Sequence, residues 1–204
     1  MSPAETRLDE QFAFLLEIDR LKSVLRASEL IDGSRFENSA EHSWHICLFA
    51  TVLAEHAEPD VQISRVIQML LLHDIVEIDV GDYPIHGDRD EARIEAEEAA
   101  AAIRIFGLLP AEQGNEFRTL WTEFEAAQTP DAVFAKAIDR LAPVIQIMKS
   151  GGGSWARYNV TEEQIAQRVG SKVALGAPKL WAYTEKLVAQ YFRDQHAASQ
   201  LGDQ

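Results

Sequence analysis

Residues 61–78 constrain this chain more than any other stretch. They are apolar almost all round through Met69-Leu70-Leu71-Leu72, the pattern of a central, buried helix, and then His73, Asp74 and Glu77 interrupt that pattern. An ionised carboxylate in such a setting would protonate unless a cation compensates it. A metal is one candidate and an arginine the other. In helical geometry Glu77 lies one turn from both His73 and Asp74, so the three side chains project from neighbouring parts of one face.

The same anomaly recurs on two other segments. His42 follows Glu41 in a stretch whose inward side carries Ile46 and Phe49, and Asp139 lies between Ile138 and Leu141. Taken singly, each of these residues is more often structural, Asp139 for instance as a partner of Arg140. Together, two histidines and two carboxylates make a nitrogen and oxygen set suited to Mn²⁺, Fe²⁺, Co²⁺, Ni²⁺, Zn²⁺ or Mg²⁺, with positions left for water and substrate. These residues by themselves leave a metal site and a polar core network about equally supported.

Strand signals are nearly absent, and apolar residues recur at three- and four-residue spacing. The expected fold is all-α. A first helix is predicted over residues 5–27 on the stripe Leu8, Phe12, Leu15, Ile18, Leu21 and Leu25. Further helices are predicted from an N-cap at Asn38 or Ser39 to about residue 56, and over 61–78, 110–127 and 178–196. A loop over 81–90 precedes a charged helix that stops at Gly107. Thr129-Pro130 opens a helix to about Lys149, Gly151-Gly152-Gly153 forms a flexible break, and Thr161 with Gln164 forms a capping box. Cys47 reads as a small core residue, and Trp155 as core packing or a loop anchor.

The formal charge is −14, from 33 acidic and 19 basic side chains. This opposes binding to a nucleic-acid polymer, whose affinity comes mostly from cations on the protein. No run approaches the ~18 apolar residues of a membrane span, and the N-terminus lacks a secretory signal, so the cytoplasm is the expected compartment.

Glu41-His42-Ser43, His73-Asp74-Ile75-Val76-Glu77, Gly81-Asp82 and Asp139-Arg140-Leu141 occur in the order of the H…HD…D signature. In this the chain resembles the HD-domain phosphohydrolase superfamily, and within it the 5′-deoxynucleotidase branch. The resemblance implies one HD-domain helical bundle over 1–204, with a core at 15–150 and C-terminal helices at 161–196 packed on it. It also implies one divalent metal held by His42, His73, Asp74 and Asp139, a catalytic Glu77, and Asp82 lining the pocket. Arg26 stands where the family contacts the substrate phosphate, and Arg35 is a second candidate for that contact. Ala27 departs from the tryptophan that follows this arginine in the best-known pattern. The substrate implied is a small phosphorylated molecule, a nucleotide, and the assembly a homodimer. A non-catalytic metal-binding protein and a dinuclear oxygenase are the alternatives. The oxygenase needs extra histidines, and the stretch between the His-Asp pair and Asp139 offers only His86, which reads as surface.

Overall fold

The computed structural model describes residues 2–87 and 90–202, so residues 88 and 89 of the expected loop lie outside it. Helix α1, Pro3–Glu17, starts at a Ser2 capping box with Glu5 and gives way to a 3₁₀ turn, Ile18–Ser23. The chain then turns extended. Strand β1, Leu25–Glu29, pairs antiparallel with β2, Phe36–Asn38. The helix expected over 5–27 therefore ends early, and its expected stripe is buried only in part: Leu21 is 5% exposed and Ile18 packs against the core, but Leu8, Phe12 and Leu25 are 52%, 60% and 61% exposed, whereas Phe14, outside the stripe, is 3% exposed. Long-range pairing decides this. Leu30 N–H donates to Arg35 O at 2.9 Å, and the Gln146 side chain donates to Glu29 O at 2.9 Å, fixing the hairpin to a distant helix. The hairpin turns Arg26 inward.

Asn38 caps helix α2, Ser39–Val52, in a reciprocal box with Glu41, an arrangement worth about 1 kcal/mol. A 3₁₀ turn, Ala54–His56, follows. Helix α3, Ile63–Leu72, buries Val66, Met69 and Leu70 completely, and its first free N–H groups are met from afar: Gln62 N–H donates to the Asp131 carboxylate at 2.6 Å. Cys47 is half-buried against α3, with its thiol pushed up to about 11 by burial.

The helix expected over 61–78 is interrupted at the His73-Asp74 pair. Residues 73–76 form a tight turn with i to i−3 bonds, among them Glu77 N–H to Asp74 O at 3.0 Å, before the short helix α4, Glu77–Val80. Gly81, at φ +77°, ends α4. Helix α5, Glu91–Phe106, packs beside it, and α6, Ala111–Ala126, packs on α3 and α5.

Helix α7, Pro130–Lys149, is capped by Thr129 and is the central element, with Ala132, Phe134, Ala135, Ala137 and Ile138 fully buried. Pro143 lies within it. In α-helical bonding the N–H of residue 143 would pair with Asp139 O, so this proline leaves the Asp139 carbonyl without that partner. The glycine run then forms an ordered turn instead of the expected flexible break: Gly152 N–H donates to Ile147 O at 2.9 Å and Trp155 N–H to Gly152 O at 2.8 Å. It opens α8, Gly153–Arg157. Helix α9, Glu162–Ile165, starts at the Thr161–Gln164 box and runs through a π-turn into α10, Ser171–Gly176, which packs on α7. Helix α11, Pro178–Gly202, closes the bundle. No helix among the described residues is long and apolar enough to cross a membrane.

Candidate metal centre

Three elements deliver the polar groups to one point. The ligand-capable atoms of His42 on α2, His73 at the end of α3 and Asp139 on α7 all lie within 4.8 Å of one another. His42 Nε2 is 3.0 Å from Asp139 Oδ1, and His73 Nε2 is 3.6 Å from that same oxygen. Asp74 adjoins from the other side, with Oδ1 2.9 Å from His73 Nε2. Asp139 is only loosely tied to Arg140, whose Nε stands 3.6 Å from Oδ2, so a simple pair of those two does not account for its burial.

His73 shows what the cluster can hold. Its Nδ1 faces Leu70 O at 2.8 Å, the arrangement of an N–H donor, which leaves Nε2 as the atom turned to the carboxylates. That Nε2 is buried and has no aligned hydrogen bond, although two carboxylate oxygens stand near it. A bare lone pair facing two carboxylates is unfavourable, so either a proton or a metal ion belongs at this nitrogen. Burial acts to lower the His73 pKa, but Asp74 and Asp139 outweigh it and raise it to about 10. The cluster thus draws positive charge to this spot, and a nitrogen and oxygen set of two His and two Asp suits a divalent metal.

The surrounding electrostatics are uneven. Burial, with the Arg26 charge, lowers His42 to about 4 and keeps it neutral, the form that ligates. Asp74 is held near 2, because His73 and Arg26 overcome its burial. Asp139 is driven well below the usual carboxylate range against burial by its two histidines. Glu77 goes the other way. Buried at 8% exposure, with Asp74 and Asp82 nearby, its carboxyl is pushed well above the usual range, although Ser39 Oγ donates to Oε2 at 2.5 Å. Burial also raises Asp82, whose Oδ2 accepts from Ala27 N–H at 3.2 Å.

Arg26 sits among these acids. Its NH1 is 2.8 Å from Asp74 Oδ2 and 3.8 Å from Asp82 Oδ1, and its Nε is buried without a hydrogen-bond partner. Arg35 is elsewhere. Exposed on the loop before β2, it forms a bidentate pair with Glu41 at 2.7 and 2.8 Å and donates to Phe36 O, so the geometry gives it a loop-holding place away from the cluster.

Two residues of the cluster escaped the sequence. Glu37, 3% exposed, stands 3.8 Å from His42 Nδ1 and 3.9 Å from Arg26 Nε, and burial raises its pKa. Ser39 reaches Glu77. Both flank the Asn38 cap and look like ordinary turn residues in sequence; only the alternation of the short strand, which turns Glu37 inward between half-buried Phe36 and Asn38, marks the first. His86, expected at the surface, instead lines a hollow beside the cluster, with Nδ1 buried and unpartnered.

Known proteins bear on this geometry. The family model described as HD domain matches residues 18–181. The chain is 29% identical over 141 residues to 5′-deoxynucleotidase hdd1 of Schizosaccharomyces pombe, spanning 67% of this chain and 70% of that protein. It is 26% identical over 140 residues to 5′-deoxynucleotidase HDDC2 of Danio rerio, 68% of each chain. Among solved structures, it resembles a predicted metal-dependent phosphohydrolase from Magnetospirillum magnetotacticum at 46% identity and a TM-score of 0.87, covering 92% of this chain and 96% of that one.

Proposed function

Because the chain belongs to the HD domain family, we propose that it is a metal-dependent phosphohydrolase, a phosphomonoesterase acting on (deoxy)nucleoside 5′-monophosphates or a similar small phosphate ester. The observation that carries this is the convergence of His42, His73 and Asp139, with Asp74 adjoining, around a buried imidazole nitrogen that no hydrogen bond satisfies. The relatives named 5′-deoxynucleotidase support the substrate class, and the Magnetospirillum phosphohydrolase supports the reaction.

One divalent metal is assigned to His42, His73, Asp74 and Asp139. When bound it supplies a Lewis acid for a phosphoryl oxygen and a water of lowered pKa. Arg26 keeps Asp74 ionised and oriented, and with its unpartnered Nε it is the proposed contact for the substrate phosphate. Glu77 is the proposed general acid–base. A carboxyl whose pKa burial has raised well above its usual range is suited to exchange protons in the transition state, and Ser39 fixes its orientation. Asp82 holds the hairpin backbone at Ala27 and keeps Arg26 in the pocket. Glu37 faces the far nitrogen of His42 and sets its ring, as outer partners of metal-bound histidines do. A homodimer belongs to the same proposal, and the exposed apolar residues Leu8, Phe12, Leu15 and Leu16 of α1 support it; a monomer in sedimentation equilibrium would remove it.

The test is phosphate release from a panel of nucleoside monophosphates and other phosphate esters, each with Mn²⁺, Co²⁺, Ni²⁺, Fe²⁺, Zn²⁺ or Mg²⁺. Metal-dependent turnover of at least one monoester is the expected result. Tight metal binding without turnover of any ester would replace the proposal with a sensing or structural role.

A further inference from the structure

Glu77 and Asp82 stand on a piece of chain with little structure of its own. Helix α4 is a single turn, Glu77–Val80, entered through the tight turn at 73–76 and ended by Gly81. One helical turn fixes several dihedral angles for one or two hydrogen bonds, so it does not hold its shape alone. Its support comes from elsewhere in the molecule: Ile78 is buried in the core, Ser39 reaches Glu77, and Ala27 N–H reaches Asp82.

Helix α5 supplies two further polar ties. Arg104 Nε donates to Asp79 Oδ2 at 2.5 Å, and its NH2 donates to Asp79 Oδ1 at 2.7 Å, a bidentate pair. The same NH2 donates to Oε1 of Glu17, the last residue of α1, at 2.7 Å. From Glu17 the chain runs through the 3₁₀ turn into β1 and Arg26. About two turns earlier on α5, Glu97 accepts from the Tyr83 hydroxyl at 3.0 Å and from Arg93 NH1 at 3.0 Å. The two ties bracket Gly81-Asp82. Asp82 and Tyr83, with Arg26 and Arg140, line both the metal chamber and the hollow beside it.

An isolated surface ion pair contributes little, because its flexible side chains must be ordered and water screens them. Arg104 is a different case. It grips both oxygens of one carboxylate and an oxygen of a second, and that fork fixes direction as well as distance. Apolar burial between α4 and α5 is non-directional and resists separation more than sliding. The fork resists sliding.

We propose that Arg104 is a positioning residue, which locks the Glu77–Asp82 segment to α5 and to the end of α1 and so sets the reach of Glu77 toward the reacting ester. The inference rests on the phosphomonoesterase reading above and adds to it what keeps the proton-transferring carboxyl in register. Arg104 acts through Asp79 and not on the substrate. Loosening the lock therefore slows the chemical step, where a displacement of less than an ångström matters, and leaves the metal and the phosphate contact in place.

The experiment uses the ester and metal that the panel above identifies, on wild type, Arg104→Gln, Arg104→Lys, Asp79→Asn and the Arg104→Gln/Asp79→Asn double variant. On each, kcat, KM, bound metal and hydrogen exchange over residues 77–82 are measured. Arg104→Gln should lower kcat about three- to tenfold, with KM and bound metal within about twofold of wild type. Exchange over 77–82, where backbone N–H groups donate to Asp74, Ile75, Val76 and Glu77 carbonyls, should quicken at least about threefold. Asp79→Asn should match Arg104→Gln, and the double variant should lose no more than either alone. Arg104→Lys keeps the charge without the fork and should fall between wild type and Arg104→Gln. An unchanged kcat in Arg104→Gln, additive losses in the double variant, or a loss that follows bound metal or the folded fraction overturns the proposal. If no ester is hydrolysed, the phosphomonoesterase reading has failed by itself, and hydrogen exchange decides the lock. Faster exchange over 77–82 in Arg104→Gln, with exchange in α7 unchanged, supports it; equal exchange overturns it.

Discussion

The two hollows that meet at Arg140 are built from opposite materials. In the metal chamber, His42, His73, Asp74, Glu77 and Arg26 are buried or nearly so, and burial and mutual charge set their ionisation together: Asp74 is held down by His73 and Arg26 and Asp139 by both histidines against burial, while burial first and then the nearby acids raise Glu77. In the neighbouring hollow, Val144, Ile147, Trp155 and Val169 contribute apolar area, and Ser28, His86, Ser154 and Tyr158 stand among them. Groups that fix one another's ionisation respond as a unit when one is removed, and their effects are large and non-additive. Apolar walls respond in proportion to what is taken away.

The contrast can be broken first at Asp139. Asp139→Asn removes a charged group shared by both histidines, and activity should fall by more than about 10³-fold together with metal content. Retained metal with near-normal kcat would end the assignment. Next, Glu77→Gln keeps size and most hydrogen bonds but removes the titrating group; kcat should drop by roughly 10²–10⁴-fold while metal content stays near wild type. A lowered thermal midpoint with preserved kcat would instead make Glu77 a structural partner of Arg26. Glu37→Gln probes the outer edge of the same network. It should weaken metal affinity by about 10- to 100-fold and leave kcat at saturating metal close to wild type. Arg140→Ala tests the seam itself. Loss of a charge-assisted contact there should raise KM about tenfold for nucleotides and polyol esters alike, with kcat little changed. An unchanged KM for either class would remove Arg140 from the phosphate.

Much of the chemistry was legible along the chain because the strongest signals are violations of pattern. His73 and Asp74 stand out against Met69-Leu70-Leu71-Leu72, and Asp139 against Ile138 and Leu141, since buried helices rarely carry unpaired charge. Caps were equally readable. Asn38, Thr129 and Thr161 open the helices that follow them through bonds spanning three residues. Arg26 was legible as a residue but not as a position: its segment has helical periodicity, and only pairing with residues 36–38 makes it a strand. Glu37 left almost no trace, because a glutamate before a capping Asn looks like any solvated turn residue. Arg35 stayed ambiguous for the same reason, as nothing local distinguishes an arginine that pairs with Glu41 from one that faces a ligand.

The sequence by itself determined the helical class, most helix starts, and the residue types able to hold a metal, since these follow from backbone bonding and side-chain period within a few residues of chain. Tertiary structure decided which carboxylates share one space, that the chain breaks at His73-Asp74 and pairs at the hairpin, and that Trp155 and His86 wall a hollow beside Asp82. The physical reason is desolvation. The energy of a buried charge depends on every group brought within a few ångströms of it, and His42 and Asp139, 3.0 Å apart in space, are 97 residues apart along the chain.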